Sequence, residues 1–239
     1  ASRLARQAGD LHSVLELLPV LVVGQAWIGD LPAACAAVEE MAPLAEKERQ
    51  PFFSYFVISS RAGAAFFEGR FAEYEALAQK AFGVGESLLG LDAAGPYGVP
   101  MFSLRRQQGR LQEVAPLLQH FVNSTPAEGT WRPGLALIYA ELGMLDEARI
   151  EFDQLASNGF SSIPEDSSWF NCMGMLAEVC HMLGDQRQAD ALHQFLFPYA
   201  KCNIVAPPLV ACYGSASRHL GLLATTLERW DEADGYFVT

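Results

Sequence analysis

With 239 residues, 51% of them hydrophobic, the chain can bury a substantial interior and is too apolar to remain disordered. Its formal charge of −12, from 28 acidic against 16 basic residues, repels nucleic-acid backbones and anionic bilayer surfaces within a Debye length of about 8 Å. Neither direct nucleic-acid binding nor membrane association is expected.

The first predicted element, 11–28, is apolar but carries His12, Ser13, Glu16 and Gln25, so it reads as a helix of a soluble domain rather than a membrane span. The stretch ahead of it lacks the charged, apolar and small-residue regions of a secretory signal. The cysteines Cys35, Cys172, Cys180, Cys202 and Cys212 are odd in number, and their irregular spacing suits reduced thiols in a cytoplasmic protein.

Along the chain, apolar-periodic segments end in Gly29, Gly69, Gly109, Gly143 and Gly184, with Glu228 in the equivalent place of a last copy. Five residues after each lies Ala34, Tyr74, Val114, Ala148, Ala189 or Ala233. The period of 34 to 44 residues predicts helix-turn-helix hairpins, at about 8–46, 52–82, 96–123, 130–157, 167–199 and 213–239. Acidic residues such as Asp146 and Asp231 open the second helices, where they favour the positive end of the helix dipole. The alanines let paired helices approach closely, so Tyr74 and Val114 predict looser or differently angled hairpins.

Loops are expected near 90–100, 158–168 and 201–211, which are rich in Gly, Pro, Ser and Asn. The strand-like runs, 56–59 and 203–206, lie where helices begin or end, so the predicted class is all-α: a solenoid of about six antiparallel hairpins in one repeat domain. The last hairpin stops after a short second helix, which predicts that the array belongs to a larger protein.

Motifs for phosphate loops, zinc proteases and serine nucleophiles are missing from the sequence, and "GVGESLLG" at 83–90 has neither a preceding strand nor a closing lysine. It reads as an inter-hairpin loop. Cys172, Cys180, His181 and Cys202 offer zinc-type ligands without zinc-type spacing, and read as core and surface residues. Arg105, Arg106 and Arg110 form a basic patch at a helix end, suited to an anion or to pairing with Glu113. Trp131, Trp169 and Trp230 read as packing residues between adjacent hairpins. No catalytic residue, metal or cofactor is expected.

In the fourth copy, "LALIYAELGMLDEARIEFDQL", Leu135, Ala136, Tyr139, Gly143, Ala148 and Phe152 stand where the tetratricopeptide motif has its signature residues. The chain resembles that family, although the place of Tyr139 is taken elsewhere by Gln25, Ala65, Arg105, Cys180 and Ala224, and Phe152 recurs only as Phe237. From 97–111 through 218–237 it also resembles the helical-repeat region of large bacterial signalling ATPases, which carry a nucleotide cyclase or a LuxR-type output domain. The resemblance implies a right-handed superhelix serving as a protein-interaction and regulatory module of a signalling or transcription regulator. Its partner would be a protein or peptide, including other domains of the same polypeptide. Transferring the register of the fourth copy places Trp27, Phe67, Arg106, Glu141, His181 and Arg218 on the concave wall. A small-molecule sensor using the same wall is the alternative, and a small α-helical enzyme is a third.

Overall fold

A computed structural model describes residues 9–89, 94–124 and 129–238. About three quarters of it is helical, with one small two-stranded sheet. Among the described residues, the first four helices, α1 (Leu11–Trp27), α2 (Leu31–Glu48), α3 (Pro51–Phe67) and α4 (Phe71–Leu89), are followed by α5 (Ala94–Gln107). After a 3-10 turn at Leu111–Glu113 come α6 (Ala115–Ser124), α7 (Arg132–Glu141), α8 (Leu145–Ala156), α9 (Trp169–Leu183) and α10 (Gln186–Leu196). The strands β1 (Asn203–Ala206) and β2 (Ala211–Ser215) then precede α11 (Ala216–Thr226) and α12 (Trp230–Phe237).

The chain divides into two compact units. Unit 1 comprises Ala1–Leu104 together with Val205–Cys212, and unit 2 comprises Arg105–Ile204 with Tyr213–Thr239. In unit 1, α1 packs on α2, α2 on α3 and α3 on α4. Its core joins Leu15, Leu18, Val22, Val38, Met41, Phe53 and Val57 to Val205 and Leu209. In unit 2 each helix from α6 to α12 packs on the next in the chain, and α9 also packs on both α7 and α11. Leu135, Ile138, Phe152, Met173, Leu176, Leu192 and Leu220 fill its interior.

Side-chain caps fix several helix starts. Asp10, Asp30 and Asp185 accept from the backbone N–H three residues on, and Ser215 does so at α11. Every residue assigned to a reversal, from Gly29 to Gly184, has positive φ, and so does Glu228, at 59°. The helix dipole is met at α8 by Asp146 and Glu147 and at α12 by Asp231 and Glu232.

Since the left-handed region costs a residue with a Cβ roughly 1 kcal/mol, Glu228→Gly is expected to stabilise unit 2 by about 0.5–1 kcal/mol. Thermal unfolding checks this, and an unchanged or lowered midpoint contradicts it.

The residues five positions after each reversal are all buried. Tyr74 nevertheless departs from expectation: it is fully buried, and α3 and α4 pack as extensively as any helix pair among the described residues. The ring is accommodated because its hydroxyl donates to the Val210 carbonyl at 2.9 Å and reaches the Pro100 carbonyl at 3.3 Å. In the Val114 copy the 3-10 turn delays the second helix to Ala115.

Other expectations are corrected. Residues 83–88 continue α4 instead of forming a loop, because the glycines there sit within an otherwise helix-favouring stretch; Gly90 lies outside the described residues. The expected loop at 90–100 is helix from Ala94 onward, and 91–93 lie outside the described residues. Within 201–211, the segment NIVA is a true strand, paired with β2, whereas 56–59 is interior helix. Ala8 and Thr239, expected hairpin ends, lie outside the described residues. Among the described residues no helix is long and apolar enough to cross a membrane.

Candidate functional site

The residues assigned to one wall separate by unit. Trp27 and Phe67 are half-buried against the core of unit 1. In unit 2, Arg106, Glu141 and Arg218 come together, and the group that unites them is one the repeat register did not select, Glu178 of α9.

Glu178 interrupts the apolar run MGMLAEVCHML, and only 4% of its side chain is exposed. Such a carboxylate has to be paired, because burying an isolated charge costs several kcal/mol. Arg106, at the end of α5, donates from Nη2 to Glu178 Oε2, and also from Nε to Glu141 Oε1 at 2.8 Å. Arg218, in the first turn of α11, donates to Glu178 Oε1 at 2.8 Å. His219 is fully buried, with Nε2 3.1 Å from Glu178 Oε1 and Nδ1 2.9 Å from the Ser215 carbonyl oxygen. Both ring nitrogens therefore face acceptors, and the imidazole links the cap of α11 to the carboxylate of α9.

Burial pushes the Glu178 carboxyl up, but the His219 hydrogen bond, the Arg106 charge and the Arg218 contact together outweigh it and hold it at about 2. Desolvation likewise opposes the Arg106 charge and is outweighed by Glu178 and Glu141. Glu178 thus stays ionised at neutral pH and faces the Arg106 charge. Arg218 is 47% exposed, so its outer face remains available for a ligand group.

His181, one turn beyond Glu178 on α9, makes a separate contact: its Nδ1 lies 3.0 Å from Thr226 Oγ1. Glu178 and His219 were legible in principle, each being a titratable residue inside an apolar helical run.

No family model and no curated protein matches this chain.

The remaining candidates have local partners. Arg105 pairs with Glu113 at 3.3 Å and Arg110 with the same carboxylate at 2.6 Å, as the helix-end reading expected. Trp131 packs near Phe121 and Trp169 near Phe195 and Tyr199, whereas Trp230 is 61% exposed and packs far less than predicted. Its neighbours carry the reason: Trp230 opens the last helix, where Ala233 supplies the buried contact.

Among the described residues no group of three or more His, Cys, Asp or Glu is placed to hold a metal ion. Cys172 donates toward the Thr130 carbonyl at 3.6 Å and Cys180 toward the Asp185 carbonyl at 3.2 Å. Burial pushes both thiols up to about 12. Since the thiolate is the reactive form, both cysteines are expected to label at least tenfold more slowly than half-buried Cys202 in the native protein. Mass spectrometry of iodoacetamide adducts checks this, and equal labelling of all three contradicts it.

Proposed function

We propose that this chain is a non-catalytic, tetratricopeptide-like repeat module that binds a protein or peptide segment. In this reading unit 2 stacks its hairpins as a solenoid whose first helices, α7, α9 and α11, form one wall. The observation that carries it is the convergence of Arg106 with one residue from each of those helices, Glu141, Glu178 and Arg218, in one hydrogen-bonded network. Such a row fixes the mutual position of consecutive hairpins while leaving Arg218 and His181 accessible in part. A wall of charged side chains recognises an extended or helical segment through charge-assisted hydrogen bonds without any reacting group.

The regulatory context, a cytoplasmic bacterial signalling or transcription regulator, follows from the resemblance of the repeat region and belongs to the same proposal. An enclosed small-molecule site draws less support. The depression of about 390 Å³ lined by Glu228, Arg229, Trp230, Asp231 and Glu232 is open and lies at the α11–α12 turn.

The test compares wild-type chain with Arg218→Glu, His181→Ala and, as a control on the second helix of a hairpin, Asp153→Lys. Each serves as bait, after circular dichroism establishes its helical content. Partner retention is expected to fall at least tenfold for the first two and to stay unchanged for the control. Equal retention by all four chains would sink the wall as the binding surface.

A further inference from the structure

The turns that close the hairpins of unit 2 hold large apolar side chains in water. Leu142, Met144 and Leu145 lie at the α7–α8 turn, Met182 near the end of α9 and Trp230 at the start of α12, and all five are exposed. The three turns are joined to one another. Arg149 donates to Asp185 and, at 3.1 Å, to the Leu183 carbonyl, while the Gln186 amide donates to Glu228 at 3.2 Å. One edge therefore carries the apolar residues in a row. Single exposed apolar side chains are ordinary, but a row of them on one edge marks an interaction surface.

The charges of this edge select its occupant. Arg149 pairs with Asp185, and Arg229 with Asp190 and Glu232. Exposed Asp146, Glu147, Glu228 and Asp231 have no ion-pair partner among the described residues, against one unpaired cation, Arg187. The helix dipole accounts for Asp146, Glu147 and Asp231, which stand in first turns. It does not account for Glu228. That residue follows the carboxyl end of α11, where negative charge is unfavourable, and its φ of 59° is one that glycine supplies in the other copies. Glu228 lines the depression of about 390 Å³ together with Trp230 and Asp231. A cationic side chain entering there meets two carboxylates and an indole.

Spacing decides the form of the partner. Because α7 packs on α9 and α9 on α11, successive turns stand about 8–10 Å apart. A helix returns a side chain to the same face seven residues on, about 10.5 Å along its axis. An extended strand does so about every 6.6 Å, which does not match the row.

We infer that the turn edge of unit 2 docks a basic amphipathic helix of a partner protein, with its apolar residues at heptad spacing on the exposed row and an arginine or lysine in the depression beside Glu228. Methionines suit such a surface, because they adapt to apolar side chains of different shape. A second copy of this chain does not match, since its own edge is acidic and its net charge is −12. The edge is separate from the charged wall.

A fluorescein-labelled peptide of three heptads, with leucine at the first and fourth positions and lysine elsewhere, tests the edge on the full chain by fluorescence anisotropy. Wild type is expected to bind it with micromolar affinity that weakens as salt rises, and to leave the same peptide with glutamate in place of lysine unbound. Trp230→Ala and Glu228→Gly are each expected to weaken binding at least tenfold. Glu48→Gln, which removes an exposed carboxylate at the end of α2, is expected to leave binding unchanged. Glu228→Gly separates recognition from a structural role, because the same substitution is expected to raise the unfolding midpoint: a chain that folds better and binds worse has lost a ligand contact. No binding by wild type, equal binding by all four chains, or equal binding of the glutamate peptide overturns the surface. A concentration-dependent dimer that Trp230→Ala abolishes overturns the heterologous partner.

Discussion

Glu178→Ala is expected to remove about 2–4 kcal/mol from the stability of unit 2, because it takes the hydrogen-bond partner of the fully buried His219 and leaves the largely buried Arg106 with Glu141 alone. The size follows from what stays behind rather than from the carboxylate removed. Replacing an entire buried ion pair by apolar residues is often neutral, whereas deleting one partner leaves a charge out of water. Denaturant unfolding followed by circular dichroism reads the loss, and a change below about 1 kcal/mol would show that Glu178 is not the hub of the network.

The same residue sets an acid limit. Its carboxyl is held at about 2, against an ordinary value of 4.5. A depressed carboxylate contributes stability that is fully present above the unfolded value and lost as pH falls through the folded one. Between pH 4.5 and 2 the chain is therefore expected to lose about 3 kcal/mol through this group, because each tenfold difference in proton affinity between the folded and unfolded chain is worth about 1.4 kcal/mol. The Glu178→Ala variant should show a correspondingly flatter acid profile.

The second large effect lies in unit 1. Tyr74→Ala is expected to cost about 3–5 kcal/mol, since it empties the space of a fully buried aromatic side chain. Tyr74→Phe separates the two contributions: it keeps the ring and deprives the Val210 and Pro100 carbonyls of their donor, for about 1–3 kcal/mol. Urea unfolding of both variants checks the pair. If Tyr74→Ala costs no more than Tyr74→Phe, the ring is not a packing element and the hairpin is as loose as its missing alanine predicts.

Those two residues also mark where reading the sequence worked and where it stopped. The reversals were legible because a turn that needs positive φ selects glycine by sterics alone, and the period then identified Glu228 as a substitute in the same geometry. Burial of Ala34, Ala148, Ala189 and Ala233 followed from the same spacing. The β1–β2 hairpin was not legible, because a run with only two β-branched residues, Ile204 and Val205, next to two prolines satisfies a strand and a helix flank equally well.

The candidate site was half legible. Transferring one register to every copy selects one position per helix, and it picked Arg106, Glu141 and Arg218. It passed over Glu178, three residues before His181, and His219, next to Arg218. What makes these two central is the convergence of side chains from α5, α9 and α11 on one buried carboxylate, a tertiary fact that periodicity does not carry. Tyr74 failed for the same reason: its hydroxyl finds acceptors 26 and 136 residues away.

The discontinuity of unit 1 constrains how the protein is made. During vectorial synthesis Phe53, Val57 and Tyr74 leave the ribosome long before Val205–Cys212 exist. The amino-terminal helices must wait, with the apolar residues that pack on Val205 and Leu209 uncovered, until more than a hundred further residues have emerged. Translation speed across that interval, and any chaperone that shields those apolar residues meanwhile, are therefore expected to bear on yield.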